Sequence, residues 1–129
     1  MPRVTIPMLL LPMIVSAVVV WATSVAMWKF APHHRNDRRM TTSHVMTFLT
    51  YLLISFFLAF IAHCTLRVDA ETRQIWCVIG AGAGLAHTTG AIPAGLWSGM
   101  PRGAMLKHIL DGIFYAIFTG AIFVVLWPR

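Results

Sequence analysis

Residues 45–66 decide the fold: they read VMTFLTYLLISFFLAFIAHCTL and contain no Asp, Glu, Lys or Arg. A membrane-spanning helix needs about 20 mostly apolar residues, because the bilayer core is about 30 Å thick and a helix rises about 1.5 Å per residue. This stretch is apolar on every side, which indicates lipid contact rather than an amphipathic surface helix. We predict a transmembrane helix, since lipid leaves unpaired backbone groups without a partner.

Three further stretches have the same character, and the composition supports a membrane protein. Of the 129 residues, 58% are hydrophobic and 11% are charged, whereas roughly a quarter are charged in an average soluble domain. Soluble globular and disordered classes are therefore excluded. We predict an all-α, polytopic integral membrane four-helix bundle that forms a single transmembrane domain over residues 1–129. Its spans are about 6–28, 45–66, 75–97 and 109–127.

The basic residues predict the orientation of the chain. There are ten Lys and Arg residues against four Asp and Glu, and Lys and Arg in short loops favour the cytoplasmic side. With four spans, both termini and the second linker lie on one side of the membrane, and the first and third linkers lie on the other. The linkers' side would carry six basic residues and the termini's side four, so we expect both termini outside the cytoplasm. We assign the positive charge to this orientation and not to nucleic-acid binding. The larger set is Lys29, Arg35, Arg38, Arg39, Arg102 and Lys107, and the smaller is Arg3, Arg67, Arg73 and Arg129.

We expect the first span to be retained rather than removed as a signal peptide. Its apolar run continues past the candidate cleavage site Val20-Trp21-Ala22 to Trp28, which is longer than a signal-peptide core.

The third span is rich in small residues, which let membrane helices approach closely. It has a G-x-x-x-G step and a second ridge at spacing four. We favour the interpretation that this span is the central packed helix of the bundle, and the alternative is a self-association face. The helix-packing candidates are Gly80, Gly84, Gly82, Ala86 and Gly90.

A polar stripe follows one side of the fourth span, where residues at spacing four share a face. It consists of Lys107, Asp111, Tyr115 and Thr119. His87 interrupts the third span near its middle, and an ionisable residue within a span is a candidate for function. The stripe is either a polar packing seam or, with His87, the wall of a small pathway for a ligand.

Histidines and carboxylates cluster on one predicted side of the membrane. His33, His34 and Asp37 lie in the first linker, and His108 and Asp111 begin the fourth span. Imidazole and carboxylate groups are ligands for zinc or iron. Three interpretations are open: a basic interface for anionic lipid headgroups, a metal site, and a proton relay. We predict no cofactor, with a divalent metal as the alternative.

Cys64 and Cys77 are about equally distant from the middle of the second linker, so an antiparallel hairpin would place them at the same depth. A disulfide between them would then satisfy the distance requirement. Two separate buried thiols are the alternative.

Several catalytic signatures are absent from the sequence. It contains no Cys-x-x-Cys pair, glycine-rich phosphate loop, nucleophile elbow or metalloprotease motif. We therefore lean against an enzyme.

Two motifs carry a resemblance to a known group of proteins. The first is Trp28-x-x-x-Pro32-His33-His34-x-x-Asp37, and the second runs through Leu106-Lys107 and Asp111-Gly112 to Tyr115-Ala116. The chain resembles a group of small bacterial four-span membrane proteins that have no assigned activity. The resemblance covers most of the chain, and it implies a multi-pass protein of the bacterial inner membrane.

The leading functional prediction is a small integral membrane protein without enzymatic activity. It would act by helix packing in the lipid bilayer, as a homo-oligomer or as an accessory subunit of a larger membrane complex. The second is a small transporter or channel with a polar pathway along the fourth span. The third is a metal-dependent membrane enzyme at the face formed by His33, His34, Asp37, His108 and Asp111.

Overall fold

A computed structural model describes residues 2–30 and 40–128, and it describes side chains for residues 2–26 and 44–128. The described chain is helical, and four of its helices are long and apolar enough to cross a membrane. This confirms the predicted all-α four-helix fold. The helices are α1 (Leu10–Phe30, preceded by a 3₁₀ turn over Ile6–Leu9), α2 (Met40–Thr65), α3 (Thr72–Ser98) and α4 (Arg102–Val125).

Helix α3 is not a regular α-helix along its length. It begins with a capping box, in which the backbone N–H of Glu71 donates to Oε1 of Gln74 at 3.1 Å. Two segments have the wider π pattern of i→i+5 hydrogen bonds, which is rare and often marks functional sites. Pro93, which cannot donate to the carbonyl of Thr89, follows the second of them. The segments are Thr72–Ile75 (α), Trp76–Gly80 (π), Ala81–Gly84 (α), Leu85–Thr89 (π) and Ala91–Ser98 (α).

The turn between α3 and α4 is shorter than the sequence predicts. Gly99 ends α3 with φ at 69°, in the left-handed region that glycine adopts without strain. Pro101 precedes α4, which begins at Arg102 and not near residue 109. The hydropathy of this segment places it outside the apolar span, but its Ala, Met, Leu and Lys residues are good helix formers. The polar end of α4 therefore stays helical.

The four helices form a closed ring. Helix α1 packs against α2 and α4, α4 packs along most of α3, and α2 completes the ring through contacts with α3. Helix α3 is the least buried of the four, with 17% of its most apolar window buried against 39% for α1. It is therefore not the central packed helix that the sequence predicts. The spans are apolar all round, so the pattern of apolar residues could not identify which helix is central.

An apolar core fills the end of the bundle at which both termini lie. Its large members include Leu9, Leu58, Ile79 and Phe123, all nearly or fully buried. The N-terminal segment closes this end, because the N–H of Val4 donates to the carbonyl of Leu66 at 3.4 Å. The opposite half of the bundle has a polar interior.

Trp127 and His63, at the end of the bundle that the N-terminal segment closes, donate hydrogen bonds to backbone carbonyls. Nε1–H of Trp127 donates to the carbonyl of Val68 at 3.1 Å, and Nδ1–H of His63 donates to the carbonyl of Val4 at 2.6 Å. Two otherwise unpaired carbonyls of the closing segments are thus satisfied, which matters at a membrane boundary.

Candidate functional site

The four helices each contribute one polar or aromatic side chain to a common interior cluster. These are Ser24 of α1, Tyr51 of α2, His87 of α3 and Tyr115 of α4, and we call them the four-helix polar cluster. The hydroxyl of Tyr51 donates to Oγ of Ser24 at 3.2 Å, and the Tyr115 side chain interacts with both. Polar groups within a membrane interior are energetically costly, so their convergence indicates a site or a specific packing device.

The three rings of the cluster contact one another directly. Ring centroids are 5.6 Å apart for Tyr51 and His87, 5.7 Å for His87 and Tyr115, and 5.9 Å for the two tyrosines. The two pairs that include Tyr115 are edge-to-face, at 73° and 63°. This arrangement and separation are favourable for aromatic pairs.

A glycine on α4 brings His87 close to Tyr115. A Cβ atom at Gly112 would lie 2.6 Å from the carbonyl oxygen of His87 and 2.9 Å from the adjacent carbonyl carbon. The backbones of α3 and α4 can meet at this level only because residue 112 has no side chain. The sequence Asp111-Gly112 therefore fixes where the second π segment, Leu85–Thr89, contacts α4.

Asp111 lies on α4 between the four-helix polar cluster and the start of the helix at Arg102. It lies one turn before Tyr115 on α4, it is half-buried, and its charge acts on both tyrosines. Lys107, one further turn out, is exposed. Among the described side chains, those of residues 2–26 and 44–128, Arg67 and Asp69 form an ion pair at 3.4 Å, whereas Lys107 and Asp111, one turn apart, do not.

The polar interior continues a short distance below the cluster and then ends. Thr119 is buried and donates to the carbonyl of Tyr115 at 2.8 Å. The buried hydroxyls of Ser16 and Ser55 lie 3.1 Å apart and share a hydrogen bond. Beyond them lies the apolar core, so this polar column is closed toward the termini.

The structure thus brings together three of the five predicted pathway residues, Asp111, Tyr115 and His87, with Thr119 directly below and Lys107 at the surface. It adds Ser24 and Tyr51, which the sequence analysis missed. The available signal was weak, because serine and tyrosine are both tolerated in membrane spans and neither carries a charge.

The structure describes only some of the predicted metal ligands. His33, His34 and Asp37 lie outside the described residues. His108 is half-buried in α4. In the part of the chain that the structure describes, no three His, Cys, Asp or Glu side chains come together as a metal-binding group. The metal site therefore stays a prediction.

The candidate packing glycines occupy different environments. A Cβ at Gly82 would lie 2.7 Å from Cδ2 of Leu58 on α2, whereas a Cβ at Gly84 would have nothing within 4 Å. Gly80 is half-buried beside Trp76 of its own helix, and Ala86 and Gly90 are exposed.

The two cysteines are free and exposed. They do not form the disulfide in this structure, and the alternative of two buried thiols is wrong because both side chains are exposed.

No family model, no curated protein and no solved structure matches this chain. The resemblance to the bacterial four-span group accordingly stays a prediction.

Proposed function

We propose that this protein is a small, non-enzymatic membrane protein that acts by helix packing, and that its partner is a second copy of itself. The observation that carries the proposal is the side of α3 that the bundle leaves uncovered. We call it the outward α3 face. Its small residues are Ala81, Ala86, Gly90 and Ala94, all exposed, and the exposed side chain of Leu85 lies among them.

Small residues facing outward favour a helix partner over lipid. Helices in a bilayer gain no hydrophobic energy by associating, so close backbone packing and hydrogen bonds supply the attraction. The small residues of the outward α3 face permit such an approach. Gly84, beside this face, has open space around it.

Pro93 gives a second reason for a partner at this position. Because proline has no N–H, the carbonyl of Thr89 lacks its ordinary helical donor. Thr89 is exposed on the outer side of α3 and its hydroxyl donates to the carbonyl of Leu85. Unsatisfied backbone groups that face lipid are disfavoured, and a packed helix would shield this segment.

The test is the monomer–dimer equilibrium of the purified protein in mild detergent, followed by sedimentation or energy transfer between labelled copies. We expect a dimer, and we expect Ala86→Leu to weaken it about tenfold, which corresponds to about 1.4 kcal/mol. Ala22→Leu is the matched control, because it makes the same change at an exposed position of α1. A monomer at all concentrations, or equal weakening by both variants, would count against the proposal.

A transporter or channel is the second candidate, and the four-helix polar cluster favours it. A polar pathway would begin at Asp111 and pass Tyr115 and His87. Liposome flux that Asp111→Asn reduces would support it, although the apolar core closes the far end of the polar column in this conformation.

Two features of the proposal rest on the sequence. We place the protein in a bacterial inner membrane with both termini outside the cytoplasm. An accessory role in a larger complex would use the same outward α3 face.

A further inference from the structure

Two adjoining cavities lie around the second linker, between the end of α2 and the start of α3. The smaller has a volume of about 300 Å³, and Arg67, Asp69 and Glu71 line it. The larger has a volume of about 480 Å³, and Arg73 and Val78 of α3 line it. Both volumes fall within the range of known ligand sites, about 300–1,000 Å³. We call the two cavities together the α2–α3 groove. The residues that line both are Thr65, Leu66, Glu71 and Gln74.

The α2–α3 groove lies at the boundary between the apolar spans and water. The apolar span of α2 ends at Thr65 and that of α3 begins at Thr72, so the linker between them is outside both spans. Trp76, one turn into α3, is exposed, and an indole ring at the end of a span favours the headgroup layer of the membrane. Phospholipid headgroups are therefore within reach of the groove.

The N-terminal segment places a second arginine beside Arg67. Arg3 and Arg67 stand opposite each other in an antiparallel β-bridge, and both are exposed. Backbone hydrogen bonds flank this pair on either side, so the two side chains leave the same face with Cα atoms about 4.5 Å apart. Like charges in directly opposite positions destabilise such a pairing. An anion that binds both arginines would remove this repulsion.

The two carboxylates of the groove have partners within the protein but retain acceptor capacity. Asp69 pairs with Arg67 at 3.4 Å, with about half of each side chain exposed. Exposed ion pairs contribute little to stability, so this pair can exchange partners. The Glu71 side chain accepts a hydrogen bond from the backbone of the first turn of α3, and a carboxylate can accept several more. The groove therefore offers both signs of charge to a ligand.

We propose that the α2–α3 groove binds a phospholipid that has a phosphoethanolamine headgroup. Arg3 and Arg67 bind the phosphate, because guanidinium groups match phosphate oxygens in geometry and charge. The primary ammonium donates hydrogen bonds to Asp69 and Glu71. A purely anionic headgroup, or free phosphate, would be repelled by these two carboxylates, and a quaternary ammonium has no N–H group to donate. The charges of the groove therefore favour the headgroup that carries both a phosphate and a primary amine.

The test is a competition among lipids for the purified full-length protein, with the bound lipid counted per chain by native mass spectrometry. Phosphatidylethanolamine, phosphatidylcholine and phosphatidylglycerol with the same acyl chains would be added in equal amounts to the protein in mild detergent. We expect the protein to retain phosphatidylethanolamine above the other two, and an excess of inorganic phosphate to leave it bound. Equal retention of the three lipids, a preference for either of the others, or displacement by phosphate would overturn the proposal.

Substitutions at exposed positions assign the charges of the groove. Arg67→Gln should weaken phosphatidylethanolamine binding about two- to fivefold. Arg102→Gln is the matched control, an exposed arginine at the opposite end of the bundle, and it should leave binding unchanged.

Asp69→Asn removes a carboxylate that repels anionic headgroups. It should raise the retention of phosphatidylglycerol relative to phosphatidylethanolamine, a change of preference that a loss of structure would not produce. Equal effects of the two arginine substitutions, or an unaltered lipid preference in Asp69→Asn, would contradict the proposed site. Bound lipid is counted per chain, so failure of this test would leave the proposed self-association standing.

Discussion

Adding one methyl group at Gly112 should separate α3 from α4. The Cβ of Gly112→Ala would lie 2.6 Å from the carbonyl oxygen of His87 and 2.9 Å from Cγ2 of Thr88. Ordinary contact begins at 3.4 Å, so the helices must move apart by about 0.8 Å. The obstructing oxygen belongs to the backbone and cannot rotate away as a side chain can.

Two opposing effects set the size of the change. Overpacking in a tight interior costs about 1–3 kcal/mol, while replacing glycine by alanine within a helix gains about 1 kcal/mol. We therefore expect Gly112→Ala to lower the free energy of unfolding by up to about 2 kcal/mol, and by about 1–3 kcal/mol relative to a glycine-to-alanine change that causes no clash. Gly103→Ala is the control on the same helix, because its Cβ would have nothing within 4 Å. It should be neutral or stabilising.

The assay is thermal or denaturant unfolding in one detergent, followed by circular dichroism, with both variants measured beside the wild-type protein. Because Gly103→Ala carries no overpacking cost, Gly112→Ala should have a Tm lower than that of Gly103→Ala by about 3 °C or more. If Gly112→Ala were as stable as Gly103→Ala, the close contact between α4 and the carbonyl of His87 would be refuted.

Three further predictions concern stability in the same unfolding assay. Ser16→Ala should lower the free energy of unfolding by about 1 kcal/mol, because it leaves the buried hydroxyl of Ser55 without its partner. Adding Ser55→Ala should cost little more, and strictly additive losses would argue against the bond. Trp127→Phe should cost about 1 kcal/mol or more by leaving the carbonyl of Val68 unpaired, and wild-type stability would disprove that bond. Gln74→Ala should lower the free energy of unfolding by about 1 kcal/mol, because it removes the capping box of α3. Gln74→Glu keeps a side-chain acceptor and should cost less, and equal losses in the two variants would exclude a capping role.

The four helices could be predicted because span length and hydropathy are properties of consecutive residues. The start of α4 at Arg102 could not be predicted in this way. Where a helix extends beyond the apolar span, its polar residues resemble those of a loop. The π segments of α3 depend on contacts with other helices. The prediction that α3 is the central packed helix was wrong, because alanines of one span look alike in the sequence although Ala83 is buried and Ala86 is exposed.

The candidate site was predictable in part, for a related reason. His87 and Asp111 stand out because a titratable group in an apolar span is rare. Tyr115 followed from its spacing with Asp111. Ser24 and Tyr51 lie on two other helices, and their convergence depends on helix rotation, which residue spacing along one helix does not determine.

The packing of one copy against another through the outward α3 face is the central functional claim, and cysteine cross-linking in native membranes tests it most directly. Cys64 and Cys77 would first be replaced by serine, and single cysteines introduced as Ala86→Cys, Gly90→Cys and, as a control on α1, Ala22→Cys. If two copies pack through the outward α3 face, the two α3 positions should give disulfide-linked dimers and the control should give few. Dimers from none of the three, or equal yields from all three, would contradict it.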